Sequence, residues 1–109
     1  MRYEVLLTEG AEHDLEELYD YIAKFDSKAA ADFVLDQLME AADGLASFPE
    51  RGSHPRELLA MGIREYRQIL FKPYRLIYRI VGDHQVFIHL IADGRRNLQP
   101  LLARRLLSS

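Results

Sequence analysis

Arg64-Glu65-Tyr66-Arg67-Gln68-Ile69-Leu70-Phe71-Lys72-Pro73-Tyr74-Arg75-Leu76-Ile77-Tyr78-Arg79-Ile80-Val81 is the stretch on which the fold turns. Two runs rich in β-branched and aromatic residues are split by Lys72-Pro73, a link of hairpin length. In the second run Tyr74, Leu76, Tyr78 and Ile80 fall on one side, and Arg75, Ile77, Arg79 and Val81 on the other. In the first, spanning 63–71, Arg64, Tyr66, Gln68 and Leu70 oppose Ile63, Glu65, Arg67, Ile69 and Phe71. A third such run, 85–92, follows across Gly82-Asp83-His84, so the spacing predicts a three-stranded antiparallel meander. Both faces are partly apolar. One is expected beneath helices. The other mixes arginine, tyrosine and aliphatics, the composition of an interface, unless the tail folds back to cover it.

Moving toward the N-terminus, the period changes from two to helical. Residues 49–56 read as a loop, and one helical turn is expected from Glu57 to Met61. Over 28–47, Ala30, Phe33, Val34, Leu38, Ala41 and Leu45 form one stripe, and Phe48-Pro49 stops it. Over 9–25, Ala11, Leu15, Leu18, Tyr19 and Ile22 form another, capped by Thr8 and followed by Asp26-Ser27. Two amphipathic helices across so short a link make an antiparallel helical hairpin. Residues 2–7 read as a short first strand. The order is therefore β-α-α-β-β-β: an α+β domain with an antiparallel sheet packed against a helical hairpin. The tail, 97–109, is amphipathic and basic: Leu98, Leu101, Leu102 and Leu106 beside Arg104 and Arg105, with Asn97 as a candidate cap and Pro100 in the first turn of a short helix.

At 109 residues the chain holds one domain, spanning 1–109, and its apolar and charged fractions of 49% and 28% are those of a globular protein. Its apolar runs are too short to span a bilayer, and no signal peptide is read at the N-terminus, so a cytoplasmic protein is expected. The net charge of −3 hides an asymmetry: residues 1–50 carry three bases and thirteen acids, residues 51–109 eleven bases, ten of them arginine, and four acids. Either the halves neutralise each other within the fold, or the basic half faces an acidic partner. Cysteine is absent, which removes thiolate catalysis, disulfides and cysteine-bound zinc. His13, His54, His84 and His89 show no metal-binding spacing, the glycines form no phosphate loop, and no serine sits in a nucleophile motif, Ser108 and Ser109 closing the chain. The acids of 9–25 read as a solvated face. No catalytic residue, metal or cofactor is expected. What remains is a set of arginines on and after the strands.

Four local patterns, in order, resemble one family. Thr8-Glu9-Gly10-Ala11-Glu12-His13-Asp14-Leu15 with Tyr19-Asp20-Tyr21-Ile22 is similar to the opening of toxins of the RelE/ParE superfamily of type II toxin–antitoxin systems. Leu45-Ala46-Ser47-Phe48-Pro49-Glu50-Arg51-Gly52 resembles its joint, Arg64-Glu65-Tyr66-Arg67 with Phe71 and Tyr74-Arg75-Leu76-Ile77-Tyr78 its hairpin, and Leu90-Ile91-Ala92-Asp93-Gly94-Arg95-Arg96 its closing strand. The resemblance covers 3–96 and leaves the tail outside.

The resemblance implies a bacterial growth-arresting toxin of the plasmid-stabilisation kind, neutralised by a small cognate antitoxin that wraps it. ParE-like members poison DNA gyrase by binding; RelE-like members cleave mRNA on the ribosome. The wording of Arg64-Glu65-Tyr66-Arg67 and Gly94-Arg95-Arg96 resembles the ParE branch, and no tyrosine or histidine follows Gly94. Lysine is scarce after residue 28, and a net charge of −3 suits nucleic-acid binding poorly. The expectation is a gyrase-binding toxin without catalysis of its own, whose contacts to target or antitoxin come from Arg64, Tyr66, Arg67, Arg75, Tyr78, Arg79, Arg95 and Arg96. A ribosome-dependent mRNA endonuclease, or a non-toxic antitoxin-binding member, is the alternative. Whether the chain forms a homodimer or a hetero-oligomer with the antitoxin is left open.

Overall fold

The first strand, β1 (Glu4–Leu7), stops after four residues because Thr8 turns the chain into a helix. The Thr8 hydroxyl accepts a hydrogen bond from the Ala11 amide at 3.2 Å, satisfying one of the orphan donors of the first turn. Helices α1 (Glu9–Phe25) and α2 (Lys28–Gly44) follow, the second capped by Ser27, whose hydroxyl takes the Ala30 amide at 3.0 Å. Tyr19 donates to Asp32 across the hairpin at 2.5 Å. The computed structural model describes residues 2–107. Ser108 and Ser109, the end of the tail, lie outside the described residues.

A helical turn, α3 (Arg56–Leu59), precedes the strands β2 (Tyr66–Phe71), β3 (Tyr74–Val81) and β4 (Gln85–Asp93). The tail forms α4 (Gln99–Leu102), which runs into a π-helical turn, Ala103–Leu107. The three C-terminal strands make the expected antiparallel meander, and β1 joins β4 in parallel, giving the sheet order β1-β4-β3-β2.

The bounds differ from the sequence reading where turn chemistry overrides periodicity. Strand β2 begins at Tyr66 rather than 63 because Gly62, at φ 77°, ends α3 in a left-handed turn. There the Gly62 and Ile63 amides return to the Leu59 and Leu58 carbonyls, both at 2.9 Å, so Ile63–Glu65 serve the turn and not the ladder. Arg64 is consequently not on a strand. Helix α2 ends at Gly44 and not at 47, giving way to a tight turn before Phe48-Pro49.

Two cores flank the sheet. On one face the hairpin of α1 and α2 packs Ala11, Leu38 and Leu45 against Ile69, Leu76, Tyr78, Val86, Ile88 and Ile91. On the other, Leu58 of α3 and Leu98 and Leu102 of the tail close over Tyr66, Ile77, Leu90 and Ala92. Those three leucines are fully buried, each contributing about 1.5–3 kcal/mol by leaving water. The second face is therefore not an open mixed surface: the tail covers much of it. The alternation read for residues 74–81 holds, with Leu76 and Tyr78 on the helix side and Ile77 opposite.

Strand β4 serves both cores through a bulge. Tyr78 stands opposite Ile88 but Ile77 opposite Leu90, so His89 is one residue too many. Val86 and Ile88 point to the helices before it, whereas Leu90 and Ala92 point to the tail after it.

Candidate functional site

The eight nominated residues separate into three groups. Tyr78 and Arg67 are cross-strand partners that hold the joint between α2 and β2. The Tyr78 hydroxyl, fully buried, donates to the Pro49 carbonyl at 2.7 Å and accepts from the Gly52 amide at 3.1 Å. Burial pushes its phenol pKa up. Arg67 donates to the Gly52 and Glu50 carbonyls at 2.8 and 3.2 Å. Gly52 is required by close approach, since a Cβ there would stand 2.4 Å from the Gln68 carbonyl oxygen.

Tyr66 belongs to the second core, and Arg75 lies on the same face of the sheet. Tyr66 is buried, its ring edge-on to His89 at 5.4 Å. Arg75 donates to both Glu57 carboxylate oxygens, at 2.7 and 2.9 Å, and through Nε to Gln68 at 2.8 Å. That pair ties α3 to the sheet with side chains only 12% and 18% exposed, and it holds the Glu57 pKa down at about 2. Gly94 makes room for it: a Cβ there would lie 2.7 Å from Arg75 Cδ.

Arg64, Arg79, Arg95 and Arg96 are the group exposed to solvent. Arg95 folds back onto Asp93 at 2.6 Å, a hydrogen bond that lowers the Asp93 pKa and raises its own. The remaining three make no side-chain hydrogen bond or ion pair among the described residues.

Sequence reasoning missed Asp14 and Arg105. Because β1 is so short, the outer edge of β4 beyond Ile88 has no strand beside it. Two side chains take its place. Asp14 accepts the Ile91 amide at 3.0 Å, and Arg105 donates to the His89 carbonyl at 2.9 Å. The two then close on each other with both contacts at 2.9 Å, latching the tail onto α1. The hydrogen bond to Asp14 raises the Arg105 pKa. Burial, with Arg79 and Arg105 nearby, lowers that of His89. One signal pointed to the latch: Gly10, a helix-weakening residue one turn before Asp14, where a Cβ would sit 3.0 Å from an Arg105 nitrogen.

Beside the latch lies a groove of about 420 Å³ between α1, the end of β4 and the tail. Leu18, Ile22, Ile91 and Leu101 line it together with Tyr21 and Tyr74, and Arg95 and Arg96 stand at one end. Tyr21 and Phe25, whose rings meet at a tilt with centroids 4.7 Å apart, are 64% and 66% exposed. Asp14, Glu17 and Asp93 also line it, with Asp14 and Asp93 already paired to Arg105 and Arg95, so the groove suits a segment that inserts apolar side chains and presents a carboxylate to Arg96. Among the described residues no group of histidines and carboxylates is placed to hold a metal, and no helix is long and apolar enough to cross a membrane.

The model of the ParE toxin of type II toxin–antitoxin system, parDE, matches residues 5–98. The chain belongs to this family. A chain of the chromosomal ParDE toxin–antitoxin system of Pseudomonas aeruginosa shares its fold, with a TM-score of 0.69 and 17% identity over 84% of this chain and 96% of that one. A chain of the RelBE2 toxin–antitoxin complex of Mycobacterium tuberculosis superposes with a TM-score of 0.63 and 27% identity, covering 85% and 92% of the two chains. A search of curated protein sequences finds no match. The ParE match ends at Leu98, so α4 and the Arg105 half of the latch lie beyond it.

Proposed function

We propose that this ParE-family toxin arrests growth in the bacterial cytoplasm by binding and poisoning DNA gyrase, and that a cognate antitoxin neutralises it. The observation that carries this reading is the groove: apolar along its floor, aromatic at its mouth and ended by Arg95 and Arg96, it is built to bind a protein segment. Arg64 and Arg79 add exposed cations to the same half of the chain. Tyr66, Arg67, Arg75 and Tyr78 support the surface from within rather than touching a partner. The test is pulse labelling after induced expression without antitoxin, followed by purified gyrase. Thymidine incorporation should fall before methionine incorporation, and the protein should trap gyrase on cleaved DNA.

A second reading, ribosome-dependent mRNA cleavage, is favoured by one observation. Tyr66 and His89 meet on the second face with Arg79 nearby, an aromatic ring, an imidazole and a cation in one place. Methionine incorporation falling first, with loss of the effect in His89→Ala, would establish that reading instead.

A further inference from the structure

The sequence asymmetry becomes a spatial one. Helices α1 and α2, residues 9–44, carry eleven acids and two lysines and form one layer. Everything covering the opposite face comes from the half of the chain with eleven bases and four acids. A net charge of −3 thus describes neither side of the molecule.

On the basic side lies a basin of about 460 Å³ at the β2–β3 turn, where Arg56, Lys72, Arg75 and Arg95 meet around Leu70 and Gly94. Two of these cations are already matched, Arg75 by Glu57 and Arg95 by Asp93. Arg56 and Lys72 are exposed and make no side-chain hydrogen bond or ion pair among the described residues. The basin therefore holds surplus positive charge on a scaffold stiffened by the Arg75–Glu57 pair and by the tight packing of Gly94 on Arg75.

We propose that this basin binds the phosphodiester backbone of duplex DNA. Two observations select that occupant. The largest exposed aromatics, Tyr21, Phe25, Phe33 and Phe48, all belong to the N-terminal half, and the aromatic that lines the basin, Tyr74, is partly buried against the helix-side core, so the basin lacks the row of exposed rings that single strands use. An acidic peptide needs several apolar anchors; the basin offers one exposed one, Leu70, whereas the groove against α1 offers a row of them. Exposed cations on a rigid base are what a duplex backbone requires. The choice of DNA over an RNA duplex rests on the gyrase reading, in which the target itself holds DNA. The acidic layer would then face away from the phosphates, so the charge separation orients the toxin as it approaches.

The test is fluorescence anisotropy of the complete purified chain with a short labelled DNA duplex across a potassium chloride series. Arg56→Ala/Lys72→Ala is compared with Lys24→Ala/Lys28→Ala, which removes two cations from the helix layer; circular dichroism checks that both fold. The basin variant should lose about 2 units of log–log salt slope, one for each phosphate contact removed, while the helix variant keeps the wild-type slope. The proposal is overturned by equal slopes in the two variants. It is also overturned by tighter binding of a single strand or an RNA duplex of the same sequence, or by release with poly-glutamate as readily as with unlabelled duplex at equal charge. A gyrase cleavage assay on the same proteins separates the two readings. Trapping of gyrase by a protein whose slope ignores the basin removes the DNA contact alone; a basin-dependent slope without trapping removes the gyrase target and keeps the contact.

Discussion

The two faces of the sheet are closed by unlike means. The helix side is covered by two seventeen-residue helices whose stripes supply Ala11, Leu38 and Ala42. The tail side is covered by two helices of four residues, α3 and α4, and a π-helical turn. Helices that short have no stability of their own, since the cost of nucleation is never recovered by propagation. They stay in place because leucines seal them and because two ion pairs, Glu57–Arg75 and Asp14–Arg105, stitch them to the sheet and to α1. Long amphipathic elements hold by area; short ones hold by area plus clamps. The second layer should therefore be the part of the molecule that loosens first.

Leu38→Ala should produce the largest effect. Leu38 is fully buried beneath the sheet, and its truncation should cost about 2–5 kcal/mol, read as a shift of the whole urea transition. Leu102→Ala should cost less, because the tail can settle into the space. Its signature should be faster amide exchange in α4 and the turn after it than in α1. Equal losses with uniform exchange would erase the distinction between the layers.

Acid should attack the same layer. Glu57 has a pKa of about 2 in the folded chain against an ordinary 4.5, a depression caused first by its hydrogen bonds to Arg75. A depressed carboxylate contributes stability that is complete above the unfolded value and is lost as pH falls through the folded one. The contribution, at most about 3 kcal/mol, should thus decline between about pH 4.5 and pH 2, and Glu57→Gln should flatten that decline. Amide exchange at Ile63 and Leu58 followed against pH measures it.

Arg105→Ala tests the other clamp. It leaves Asp14 partly buried with only the Ile91 amide, so a loss of about 1–3 kcal/mol is expected, with Asp14→Asn milder because an amide oxygen still accepts that bond. The tail should detach while the helix side keeps its exchange protection. Smallest of all, Arg96→Ala should leave stability within about 0.5 kcal/mol, as an exposed residue without side-chain partners does. On the gyrase reading the Arg95→Ala/Arg96→Ala pair should nonetheless abolish growth inhibition. A folded, fully toxic pair would show that this end of the groove is not the working surface.

How much was readable follows the same division. The helix side declared itself in the stripes of Leu15, Leu18 and Leu38, in the caps Thr8 and Ser27, and in the alternation of Tyr74, Leu76, Tyr78 and Ile80. These are local patterns with periods fixed by backbone geometry. The tail side depends on distant matches. Asp14 is one acid among several on α1 until Arg105, ninety-one residues later, meets it. Arg75 looks like a free surface cation until α3 delivers Glu57. The parallel pairing of β1 with β4 carries no signal in either strand. Tyr78 shares a motif with Arg75 and Arg79, yet alternation sends it to the other face.

The bulge at His89 makes β4 behave like a reading frame. Up to Ile88 the strand spells its apolar residues toward the helices; one inserted residue shifts the frame, and the same alternation then spells Leu90 and Ala92 toward the tail. A strand that kept His89 but paired residue for residue, with no bulge, would hold every hydrophobic residue that lines either core and still deliver Leu90 and Ala92 to the wrong one, leaving Leu98 and Leu102 without a floor. The second layer, with the groove beside it, exists because a single residue is out of step.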